Sequence, residues 1–121
     1  MRGSSRRKTT TPSRSCLLAL ALVASACAGP EQPLLDRFFA ASRLRDRTQL
    51  QAIATVVFEP RERGIVTKFT VVRVDASGGR RVVTIHAPVE LPDGRTVQKT
   101  FAVTLTLDNE QRWIVTAVDD L

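Results

Sequence analysis

The chain has no tyrosine, one histidine, one tryptophan and two cysteines among its 121 residues. Each scarcity excludes something. A resident metal needs three or four converging ligands, and one histidine with no spare thiolate does not supply them. No glycine-rich phosphate loop occurs, and no serine sits in a nucleophile elbow. No cofactor or metal is therefore expected. The longest apolar run, Cys16 to Ala24, falls well short of the roughly 20 residues a membrane-spanning helix needs. A low aromatic count (five phenylalanines beside the tryptophan) places Trp113 and Phe101 in the interior rather than on a stacking surface.

Charge is present but unevenly spread. The formal net charge is +6, and residues 1–26 hold five basic residues and no acidic one. From Cys27 onward, thirteen basic residues face twelve acidic ones, a net of +1. The basic character thus belongs to the first segment, and a nucleic-acid partner is not expected. Arg80 and Arg81, beside Gly78 and Gly79, read as a solvated hairpin tip rather than a phosphate clamp.

The first segment has the three parts of a secretory signal: basic residues, a short apolar run and the small-residue site Ala24-Ser25-Ala26. Ser5-Arg6-Arg7 suggests a twin-arginine signal, but Lys8-Thr9-Thr10 lacks the apolar residues that should follow the pair. Ala24-Ser25-Ala26-Cys27 resembles the lipobox of bacterial lipoproteins, with alanine at Ala24 where leucine is commonest. That resemblance implies a lipid on Cys27, which becomes the mature N-terminus, and a domain anchored to the cell envelope facing the periplasm. The alternative is ordinary cleavage after Ala26, giving a secreted soluble domain. Cys16 leaves with the signal, so no disulfide framework remains.

The mature chain reads as one domain, residues 34–121, behind a short tether at 27–33. At that size about 60 to 65% of the chain's surface can be buried. Pro33 suits the first turn of a helix. Leu34, Leu35, Phe38, Phe39, Ala41 and Leu44 recur at helical spacing after it. Thr48 and Gln51 fit a capping box opening a second helix, with Leu50, Ile53 and Ala54 on its apolar side.

From Thr55 the period changes to two. Expected strands are Thr55 to Phe58, Ile65 to Asp75, Arg81 to Leu91, Thr96 to Leu107 and Trp113 to Val118. Gly78-Gly79 and Pro92-Asp93-Gly94 supply the hairpin turns. Val83, Ile85, Ala87, Val89 and Leu91 share one face with Val97, Phe101, Val103, Leu105 and Leu107; Thr100, Thr104 and Thr106 lie opposite. The fold class is α+β: two N-terminal helices packed on a strongly curved antiparallel sheet of four or five strands. Phe38 and Phe39 should straddle the contact between helix and sheet.

This order of helix, short helix and long hairpinned strands resembles the nuclear transport factor 2-like superfamily, with its cystatin-like cone. It is most similar to the small bacterial lipoproteins of that fold that carry no assigned activity. Phe38-Phe39-Ala40-Ala41 and Trp113-Ile114 stand at its motif positions. Members serve as enzymes, ligand binders and assembly subunits, so fold does not choose among them. The isomerase and cyclase relatives rely on acidic and tyrosine residues, and this chain has no tyrosine.

His86 points with Thr84 and Glu90, away from the apolar face. One reading makes it a general base oriented by Glu90; the other leaves it half-exposed on a polar sheet face. Asp119-Asp120 reads as a solvated end. The expected function is a non-catalytic envelope lipoprotein domain, held at the membrane through Cys27, binding a protein or small apolar ligand through its curved sheet. The alternatives are a small enzyme using His86 and an assembly subunit pairing through the threonine-rich face, as with a second copy of itself.

Overall fold

The computed structural model describes residues 29–121. The signal segment expected at residues 1–26, and Cys27, lie outside the described residues. Helices α1 (Glu31–Leu44), α2 (Arg47–Ile53) and α3 (Pro60–Arg63) precede strands β1 (Ile65–Val66), β2 (Thr70–Ser77), β3 (Arg80–Glu90), β4 (Thr96–Leu107) and β5 (Trp113–Asp120). The five strands form one curled antiparallel sheet.

Helix α1 takes in Glu31 and Gln32, which the sequence reading assigns to the tether, and holds Pro33 in its first turn. It buries Leu34, Leu35, Phe38 and Phe39, with Phe38 wholly enclosed. Each such side chain contributes roughly 1.5 to 3 kcal/mol by leaving water. Leu44 does not join them and is 70% exposed. At 3.6 residues per turn it lies off the arc centred on Phe38. That arc instead carries Glu31, seven residues before Phe38, and Ser42, four residues after it, and both are buried.

The helix ends on Arg45 in the left-handed region, and the chain turns at once into α2. Asp46 caps α2, accepting from the Gln49 amide at 3.1 Å. Thr48 therefore lies inside the helix and is not its cap. The carboxylate starts the helix two residues earlier because the tight exit from α1 presents Asp46 first.

The expected strand at Thr55 to Phe58 does not form. One isolated parallel bridge joins Ala54 to Val115, and the Thr55 amide donates to the Val115 carbonyl at 2.9 Å. The segment then turns Phe58 inward, where its amide donates to Ser42 Oγ at 3.1 Å. Packing of one phenylalanine and one buried hydrogen bond outweigh the local β preference of Val56 and Val57.

Strands β3 and β4 pair without interruption from Arg80 opposite Thr106 to Glu90 opposite Thr96. Their shared face contributes Val83, Ile85, Ala87, Val89, Phe101, Val103 and Leu105 to the core, all with no exposure. Extra residues at Val72 in β2 and Thr116 in β5 shift the register. Such bulges add twist and bend long strands, which lets this sheet curl around α1. All five phenylalanines join in one chain of ring contacts: Phe38 to Phe39, Phe39 to Phe58 and Phe69, and Phe58 to Phe101.

Candidate functional site

The concave face of the sheet is filled. Helix α1 and Phe58 cover it, so the surfaces left for recognition are the outer face and the two ends of the core.

On the outer face, His86 is exposed, and its Nδ1 lies 2.8 Å from Oγ1 of Thr100, its register partner on β4. Glu90 shares the face four residues further on. At about 3.3 Å per residue the two stand roughly 13 Å apart along the strand, too far for one to orient the other directly.

Glu90 belongs to a different feature. Strand β3 carries Pro88, which has no amide proton for a ladder. The pairing to β4 continues through Pro88 opposite Gln98. On the other side, Val66 pairs with Val89 and Thr70 with His86, and residues 67–69 between them leave the sheet. The long strand expected from Ile65 to Asp75 is therefore two, β1 and β2, broken beside the proline. The break opens a groove of about 530 Å³ on the outer face, with Pro88 among its lining residues and Lys68, Glu90 and Gln98 around it.

Each end of the core is closed by an arginine lying on an aromatic ring and bonded to a carboxylate. At one end, Arg63 places its guanidinium carbon 4.6 Å from the Phe58 centroid and bonds Asp120 Oδ1 at 2.5 Å. It also donates to the Val118 carbonyl at 3.1 Å. Lys99 Nζ reaches the second Asp120 oxygen at 3.0 Å. Hydrogen bonding from Lys99, and then from Arg63, holds the Asp120 carboxyl below its ordinary value, against the opposing effect of partial burial. A carboxylate so held stays ionised at neutral pH and serves as a clamp, not a proton shuttle. Asp119 is solvated as expected; Asp120 is not a loose end.

At the other end Arg81 pairs with the buried Glu31 of α1 and lies 5.0 Å above the Trp113 ring. The sequence reading treats Arg80 and Arg81 alike as a solvated tip. Only Arg80 is exposed. Arg81 stands opposite Leu105 and Ala76, on the core side of β3, and so turns under α1. Gly29 makes room for this pair, since a β-carbon there would collide with the Glu31 carboxylate.

The groove and the arginine clamps escape sequence reasoning because they join distant residues. A partial signal exists: Pro88 within an alternating strand marks a broken ladder, and the helical arc through Phe38 predicts that Glu31 is inside.

Among the described residues, no three histidine, cysteine, aspartate or glutamate side chains converge as a metal site. No helix among them is long and apolar enough to cross a membrane. Comparison with protein-family models, with curated proteins and with solved structures finds no match to this chain.

Proposed function

We propose that this chain is a non-catalytic binding domain, held at a bacterial envelope membrane by lipid on Cys27 and facing the periplasm. It binds an extended segment of a protein partner in the groove beside Pro88. In this reading it is a small lipoprotein of the nuclear transport factor 2-like superfamily, an assignment resting on the shared order of helices and hairpinned strands around a curled sheet.

The observation that carries the reading is the groove itself. It is open, lies beside the one break in the β3 ladder, and is lined by a cation, an anion and an amide, Lys68, Glu90 and Gln98. That mixture suits the backbone and polar side chains of an extended peptide. The filled concave face favours a protein partner over a small apolar ligand, because that face is already occupied by α1 and Phe58.

A photo-crosslinking side chain in place of Gln98 tests this in cells. It should trap one protein, while the same group in place of Asp36, on the exposed side of α1, should not. Equal trapping at both positions, or none at Gln98, would remove the groove from consideration.

A further inference from the structure

Strand β2 stands apart from the rest of the sheet. It pairs only with β3; no strand among the described residues pairs with its other edge, and the start of α1 (Glu31, Gln32) borders Thr70, Val71 and Val74 across an open cleft. From Val72 to Ser77 every residue is exposed, including Val72 at 50% and Val74 at 38%. Alternate residues of such a strand present backbone N–H and C=O groups to the open edge. Edges of this kind are commonly blunted by charged side chains, a proline or a bulge, and here the bulge at Val72 bends only the start of the strand. This one carries Arg73 and Asp75, opposite charges two residues apart on one face, 2.9 Å from each other.

That spacing makes the edge complementary to itself. In an antiparallel pair of two identical strands related by a two-fold axis, one residue faces its own copy. Centring the axis on Val74 puts Arg73 opposite Asp75 of the second copy and Asp75 opposite its Arg73. Centring it one residue earlier sets Arg73 against Arg73; one residue later sets Asp75 against Asp75. Like charges directly opposite are unfavourable and opposite charges favourable, so the charges select one register of the three. In that register Val74 meets Val74 beyond the bulge at Val72. The apolar surface exposed at Val74 is then covered.

We propose that two copies of this chain associate through β2, edge to edge and antiparallel about Val74, with reciprocal Arg73–Asp75 pairs fixing the register. The sheet becomes continuous across the dimer. This interface uses neither the groove nor Cys27, so it stands or falls independently of the function proposed above.

Sedimentation of the full chain in non-ionic detergent, across a range of protein concentrations, tests it. The wild type should dimerise reversibly. Arg73→Asp and Asp75→Arg should each raise the dissociation constant about tenfold by creating two like-charge contacts per dimer. The double exchange Arg73→Asp/Asp75→Arg should restore the wild-type value, because it reverses both members of each pair. Both side chains are well exposed, so all three variants should keep the wild-type melting temperature at concentrations low enough for every form to be monomeric. A strict monomer overturns the proposal, as does a dimer indifferent to the single exchanges or not rescued by the double one. So would vesicle binding through Val72 and Val74 without self-association.

Discussion

Arg63 in α3 and Asp120 at the end of β5 are 57 residues apart in sequence and meet at 2.5 Å, with the Arg63 guanidinium stacked over Phe58. The contact ties the last strand to α3 and covers the end of the aromatic chain. Lys99 completes it from β4. The C-terminus is held further by the Leu121 amide, which donates to the Thr100 carbonyl at 2.9 Å.

This arrangement predicts a pH dependence. The folded Asp120 carboxyl titrates below its ordinary 3.8 because Lys99 and Arg63 favour its charged form. Its stabilising contribution is therefore fully present above that value and is lost as the pH falls through the lower folded value. Asp120→Asn should lower the melting temperature at pH 7, and the difference from wild type should shrink as the pH falls below 3.8. A constant difference across that range would mean the carboxylate charge plays no part.

Ser42 accepts from the Phe58 amide inside the core. Ser42→Ala removes the acceptor and strands a buried N–H, which should cost about 1 to 3 kcal/mol in urea unfolding. A loss below about 0.5 kcal/mol would show that the connector finds another partner.

Gly64 sits between α3 and β1 at φ 96°, where an added β-carbon would come within 2.5 Å of the Glu90 carbonyl oxygen. Gly64→Ala should destabilise the fold by roughly 1 to 3 kcal/mol through backbone strain, with the close contact adding to it. Gly94→Ala, also at positive φ but with nothing near the new carbon, should cost less. Equal losses would attribute the effect to φ alone.

The Glu31–Arg81 pair joins the start of α1 to the sheet. Removing one partner leaves a largely buried charge uncompensated, so Glu31→Gln and Arg81→Met should each destabilise the protein. Replacing both with apolar residues should recover much of the loss, since a buried ion pair and a well-packed apolar pair are often of similar stability. A double variant as unstable as the summed single ones would indicate that the two residues act separately.

Cys27→Ser tests the proposed membrane anchor. The chain from Cys27 onward carries a net charge of only +1, so no polybasic patch supplements a lipid. The substitution should move the protein out of the membrane fraction or leave it unprocessed, while circular dichroism stays that of a folded domain. Mass spectrometry of the wild-type N-terminal peptide should find Cys27 acylated. An unmodified Cys27 on a soluble protein would mark it as a free secreted domain.

Much of the fold follows from local rules. The apolar face of β3 and β4, the hairpin at Gly78-Gly79, the Pro92-Asp93-Gly94 turn and the placement of Phe38 and Phe39 are readable because alternation, helical period and turn chemistry are short-range properties. Tertiary structure decided where those rules compete. Val56 and Val57 favour a strand, but Phe58 and Ser42 gain more by packing and hydrogen bonding. Arg80 and Arg81 are neighbours in a basic pair, yet strand alternation sends one to solvent and the other to Glu31, fifty residues away. Pro88 announces a broken ladder, but the groove exists only because β1 and β2 part on its open side. Composition places charges along the chain, whereas burial and pairing depend on which distant carboxylate the curled sheet brings to each arginine.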